Sequence, residues 1–102
     1  MRILNDVELN LYRRKHSDAS RHLNRWQDDT EQACWTKPED IDKKGGKVRV
    51  KREKVRADIR GKRYKLLFIV DYHNYEIFMK DFLTHTEYDR YNDIWEDYPW
   101  YI

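Results

Sequence analysis

Apolar and polar positions are most clearly ordered over residues 63–92, and the two elements predicted there organise the rest of the chain. Residues 64–70 are rich in β-favouring types and hold the one sustained apolar run, residues 66–70, so they predict a strand. Asp71, Tyr72, His73 and Asn74 form a turn-rich stretch that closes a hairpin into a second strand over residues 75–83. Strict alternation on that second strand sends Phe78, Lys80 and Phe82 to one face and Ile77, Met79 and Leu83 to the other. A buried lysine without a partner is costly, so the Lys80 face is expected outward.

Upstream, residues 1–4 alternate like an inner strand. Asn5 or Asp6 then caps a helix reaching about His16, with Leu4 placed to staple its first turn. Leu9 and Tyr12 give this helix one apolar stripe, and Arg13, Arg14 and Lys15 suit its C-terminal dipole. A second helix starts at Ser17-Asp18; Ala19, Leu23, Trp26, Thr30 and Ala33 recur at helical spacing and predict the side that packs on a sheet. Residues 35–44 read as a corner anchored by Trp35, with Pro38 opening a short helical turn and Thr36 as a nearby cap. Lys43, Lys44, Gly45 and Gly46 make the most flexible point.

Val48 and Val50 share one phase while Val55, Ala57 and Ile59 share the opposite one, so a turn or bulge is required between residues 51 and 54. Arg60, Gly61 and Lys62 make a tight turn, since glycine tolerates positive φ. Residues 55–59, 64–70 and 77–83 are therefore expected as a three-stranded antiparallel meander. Two N-terminal helices cover one face and the other is open, an α+β fold. Residues 1–92 make the domain, and residues 93–102 an acidic, aromatic tail. Tyr91, Ile94, Trp95 and Tyr98 could form a short turn ended by Pro99, which packs on the domain edge, folds back on the basic face or binds a partner.

Composition narrows the function classes. At 102 residues there is room for one modest core, and with 39% charged residues that core must draw on four tryptophans and eight tyrosines. An aromatic content of 15% argues against disorder. The net charge of +2 conceals a strong asymmetry. Residues 43–65 carry twelve Lys/Arg against two acids, whereas residues 87–102 carry five acids against one arginine. One face is thus suited to a polyanion. The lone Cys34 forms no internal disulfide, no apolar run approaches a membrane span, and no signal-peptide core is present, so a cytoplasmic protein with no membrane partner is expected. Four scattered histidines and one cysteine have no zinc spacing, and neither metal nor cofactor is expected.

A lysine between two aromatics on a strand face suits RNA, because rings stack on bases and an ammonium pairs with phosphate; the same pattern also fits a lysine lying over a solvated sheet. Beyond this pattern stand two motifs: Thr84-His85-Thr86-Glu87-Tyr88-Asp89 directly after the second strand, and Gly61-Lys62-Arg63-Tyr64-Lys65-Leu66 opening the first. With Met1-Arg2-Ile3-Leu4 and the corner of Trp35, Pro38, Asp40 and Ile41, they resemble the HigB family of bacterial toxins, in the RelE-like superfamily of mRNA interferases. The resemblance covers roughly residues 1–92. It implies a RelE-like small domain and a metal-independent, ribosome-associated mRNA endonuclease. Its partners would be mRNA, the ribosome and a cognate antitoxin, of helix-turn-helix type.

Such cleavage needs activation of a ribose 2′-hydroxyl, charge stabilisation at phosphorus and protonation of the leaving 5′-oxygen. By the resemblance, Lys65 and Lys80 take the positions of family basic residues and stabilise phosphate charge. His85 fits an acid or a base, or a helix-holding role; Tyr88 fits a proton carrier among cations, or a core residue. Glu87 and Asp89 fit helix-start charges. Arg49, Lys51, Arg52, Lys54, Arg60, Lys62 and Arg63, with Phe78 and Phe82, are the candidate RNA contacts. This chain has Lys62 where the family has Asn, Lys65 and Lys80 where it has Arg, and Ala57-Asp58 where it has Phe-Asn. Two other classes fit the same basic face: a non-catalytic RNA-binding domain, and a basic module for an acidic protein partner.

Overall fold

The computed structural model describes residues 1–41, 48–91, 98 and 100. The expected flexible point at residues 43–46 and the turn through Ile94, Trp95 and Pro99 lie outside them. The elements run β1 (Arg2–Ile3), α1 (Val7–Lys15), α2 (Ser20–Gln32), β2 (Val48–Lys51), β3 (Lys54–Ile59), β4 (Tyr64–Asp71), β5 (Glu76–Thr84) and α3 (His85–Tyr88). A 3-10 turn, Ser17–Ala19, leads into α2, and another, Pro38–Asp40, has proline at its start as the corner predicts. Thr36 does not cap that turn; its N–H and hydroxyl both donate to Asp40 Oδ2 at 2.9 Å.

One five-stranded sheet has the order β1-β5-β4-β3-β2. The meander is present, with β2 added as a fourth antiparallel strand. The phase slip between Val50 and Val55 is resolved by the turn at Arg52-Glu53, where Arg52 takes φ 57°. The next turn places Arg60 at φ 57° and Gly61 at φ 65°, the left-handed region that glycine enters without a Cβ penalty. Residues 2–3 are not an inner strand. They pair parallel with β5 at the sheet edge, Arg2 with Glu76 and Ile3 with Ile77.

The inward sides of the strands, including Val55, Ala57, Leu66, Phe68, Val70 and Ile77, share one buried cluster with Leu9, Tyr12, Ala19 and Leu23 of the helical segment. Rings knit it together: Tyr12 lies 5.5 Å from Phe82, Trp26 5.1 Å from Phe68, and Tyr64 5.0 Å from Phe82. Leu4 is 50% exposed.

The largest departure from simple alternation is in β5. Phe68 pairs with Met79 but Leu67 pairs with Asp81, leaving Lys80 opposite no residue of β4. This bulge advances the side-chain phase by one, so Phe82 turns inward beside Met79 at 1% exposure, and Leu83 turns outward. The expectation of Phe82 on the outer face and Leu83 on the inner is thereby corrected. Asn5 stabilises the irregularity. Instead of capping α1, its side chain donates to Met79 C=O at 2.9 Å and accepts from Met79 N–H at 2.7 Å, extending the pairing where β1 has ended. Asp6 occupies the N-cap position without a side-chain cap.

The outer face is not simply open. Leu67 and Leu83 are buried there under Tyr98 and Trp100, with Ile69, Tyr88 and Tyr91 packed around them. Tyr98 donates its hydroxyl to Asp81 Oδ2 at 3.1 Å. The acidic tail thus contributes two aromatic residues to a second, smaller apolar cluster.

Candidate functional site

Strand register places the outer-face side chains in three rows. Arg49, Arg56, Leu67 and Asp81 form one; Lys51, Lys54, Ile69 and Phe78 a second; Asp58, Lys65 and Leu83 a third. In the first two rows, residues of like charge stand directly opposite each other across β2 and β3. That arrangement disfavours the bare fold and favours a polyanion.

Lys65 does not point freely into solvent. Its Nζ lies 2.9 Å from Asp58 Oδ1, and the two side chains are 5% and 7% exposed. Arg56 Nε lies 3.6 Å from the same carboxylate oxygen. Above these three sits Tyr88 of α3. Its ring centroid is 5.8 Å from Lys65 Nζ and 5.7 Å from Arg56 Cζ, and its hydroxyl accepts from Arg56 Nη1 at 3.4 Å.

The placement of Tyr88 follows from the local sequence. Thr84 caps α3 by accepting from Glu87 N–H at 3.1 Å, and Glu87 Oε1 accepts from Thr84 N–H at 2.9 Å, a complete capping box. These bonds hold the Glu87 carboxyl below the usual glutamate range. Glu87 is therefore committed to the helix start, as expected. The His85 backbone N–H donates to Arg63 C=O at 3.0 Å, and its exposed Nε2 lies 3.2 Å from Asp89 Oδ2 one turn on.

Of the four expected catalytic residues, the structure brings Lys65 and Tyr88 together, with His85 three residues before Tyr88 on the same short helix. Lys80 stands apart in the bulge, three residues before the Leu83 that faces Lys65, with its Nζ 5.8 Å from the Phe78 ring. Phe78 is 46% exposed, whereas Phe82 is buried and cannot stack on a base. Arg49, Lys51 and Lys54 lie on the outer face; Arg52 and Lys62 occupy exposed turns. Arg60 and Arg63 pair instead with Asp18, which also accepts from Tyr64 at 2.7 Å. The Tyr64 bond, with the Arg60 and Arg63 charges, holds the Asp18 carboxyl below its usual range.

Sequence reasoning missed Arg56 and the partnership of Asp58. The signal was present: both alternate with inward-facing Val55, Ala57 and Ile59, and the Arg60-Gly61 turn sets Asp58 opposite Lys65. Among the described residues, no three His, Cys, Asp or Glu side chains gather as metal ligands, and no helix is long and apolar enough to cross a membrane.

The family described as HigB toxin, RelE-like toxic component of a toxin-antitoxin system, matches residues 19–91. No curated protein matches the chain. The matched span holds α2, the whole β2–β5 meander and the capping box of α3.

Proposed function

The chain belongs to the HigB family of RelE-like toxic components of toxin–antitoxin systems, and from that premise we propose that it is a ribosome-associated mRNA endonuclease restrained by a cognate antitoxin, of helix-turn-helix type. In this reading α1 and α2 back the sheet in the RelE-like manner and the outer face meets RNA. The observation that carries the proposal is the assembly of Arg56, Asp58 and Lys65 beneath Tyr88, on a face whose basic side chains stand opposite one another.

The proposed reaction is an internal transesterification. The ribose 2′-oxygen attacks the adjacent phosphorus, the bond from phosphorus to the 5′-oxygen breaks, and the upstream fragment keeps a 2′,3′-cyclic phosphate. His85 is assigned the 2′ proton: when its Nε2, 3.2 Å from Asp89 Oδ2, carries the ring hydrogen, Nδ1 offers a lone pair to accept it. The Tyr88 hydroxyl accepts from Arg56, so its own proton is available for the departing 5′-oxygen. Positive charge beneath Tyr88 stabilises the negative charge that grows on the phosphate oxygens. Phe78 and Lys80, in the first half and at the centre of β5, extend the contact surface by stacking on a base and meeting a neighbouring phosphate.

Neither step assigns work to a metal ion. Purified protein, mRNA and ribosomes should yield cut message bearing a 2′,3′-cyclic phosphate or its 3′-phosphate product, in EDTA as well as without it. Ribosome integrity must be verified in the same sample. Cleavage that stops in EDTA and returns with a divalent ion would remove the metal-free mechanism, and tight RNA binding without cleavage would leave a binding domain.

A further inference from the structure

Two cations lie beneath Tyr88, and their surroundings differ. Lys65 has a carboxylate at hydrogen-bond distance and is almost fully buried. Arg56 is short of partners. Its side chain is 15% exposed, its Nε is buried with no hydrogen bond, and the nearest carboxylate oxygen stands 3.6 Å away. Its one hydrogen bond among the described residues, to the Tyr88 hydroxyl, is long at 3.4 Å.

A guanidinium carries five donors in a fixed fork, and donors shielded from water are costly to leave unmet. Arg49, directly opposite on β2, adds a like charge on the same face. A phosphate would answer both deficits, because its oxygens accept from the fork bidentately and its charge offsets both arginines. Asp58 decides which cation is left for it. Its Oδ1 is within reach of both but sits 2.9 Å from Lys65 and 3.6 Å from Arg56, so it cancels the lysine and leaves the arginine under-neutralised.

We propose that Arg56 is the catalytic cation of this site, gripping the nonbridging oxygens of the scissile phosphate beside Tyr88, and that Asp58 is a positioning residue that withdraws Lys65 from that role. This rests on the RNA-cleavage reading above. Arg56 supplies hydrogen bonds and charge only, so the bonds made and broken, and the protons moved, are those already described.

The test is cleavage kinetics with wild-type protein, Arg56→Gln, Arg56→Lys and the double variant Arg56→Gln/Asp58→Asn, each checked for folding by circular dichroism and thermal melting. Arg56→Gln should lower kcat by about 10²-fold or more while moving KM little, as expected for a donor acting on transition-state charge. Arg56→Lys keeps the charge without the fork and should recover only part of that loss. Adding Asp58→Asn to Arg56→Gln should raise kcat again by roughly tenfold, because the released Lys65 charge becomes available to the phosphate. A purely structural role for Asp58 would make the double variant worse. Should Arg56→Gln be misfolded, Arg56→Lys and Arg56→Lys/Asp58→Asn carry the same comparison. Wild-type cleavage matched by a folded Arg56 variant would overturn the assignment of Arg56, and no gain from Asp58→Asn would overturn that of Asp58. Wild-type protein that cuts no RNA would instead defeat the cleavage reading, and this inference with it.

Discussion

The carboxylate of Asp58 and the ammonium of Lys65 meet at 2.9 Å across β3 and β4, each almost wholly removed from water. Loss of the carboxylate strands the buried Lys65 ammonium and also takes from Arg56 the oxygen 3.6 Å from its Nε. Asp58→Ala should therefore destabilise the fold by about 3–5 kcal/mol, whereas Asp58→Leu/Lys65→Met, which removes both charges, should cost far less or nothing. Urea unfolding of the three proteins measures this directly. An Asp58→Ala protein as stable as wild type would mean that the pair is solvated.

Asn5 holds the bulge of β5 by both atoms of its side-chain amide, Nδ2 donating and Oδ1 accepting. Asn5→Ala should leave Met79 N–H and C=O without those partners and cost about 1–3 kcal/mol. Hydrogen exchange at the Met79 amide should quicken, and the Phe82 ring beside it should show altered chemical shifts. Unchanged exchange at Met79 would show that β5 sets the bulge unaided.

The exposed Lys51 and Arg52 and the half-buried Lys54 of the first hairpin should read phosphate rather than sequence. Replacing Lys51, Arg52 and Lys54 by glutamine should weaken binding to all single-stranded RNAs alike. The slope of log K against log salt should flatten by about 0.7 for each phosphate that is no longer neutralised. Fluorescence anisotropy over a salt series provides the measurement. The fold should survive, because Lys51 and Lys54 stand opposite one another and their repulsion is relieved. An unchanged slope would assign these charges to another partner.

Acid and alkali should act on different residues. Glu87 and Asp18 are held below the usual carboxylate range, so their contribution is complete above about pH 4 and is lost as pH falls through their lower folded values. Glu87→Gln should thus flatten the acid side of the stability profile, read by denaturant unfolding between about pH 5 and pH 2. Burial, aided by nearby Glu53, pushes the Tyr72 phenol up to about 12, and burial with the Asp81 charge raises Tyr12 and Tyr98 as well. Their contribution is complete below about pH 10 and is lost as pH rises through the folded values. Phenolate absorbance should show these groups ionising late, together with unfolding. Early titration of all eight tyrosines would contradict that burial.

Local chemistry was legible in the sequence wherever neighbours in the chain decide the outcome. The meander follows from period-two alternation broken at Arg52-Glu53 and at Arg60-Gly61, and the helix start after β5 from its acidic residue Glu87. The basic character of these strands follows from their charge density, and the family from two short motifs. The face of Phe82 was not legible, because the bulge at Lys80 is held by Asn5, 74 residues from Met79 in the chain. Nor was the covering of Leu67 and Leu83 by Tyr98 and Trp100, whose apolar area is satisfied only when a sheet face exists to receive it. The site combines the two cases. Turn position sets Asp58 against Lys65, but only packing of α3 on the finished sheet brings Tyr88 over them and leaves Arg56 with donors to spare. Pairing registers are short-range rules, whereas burial of a charge depends on everything that closes around it.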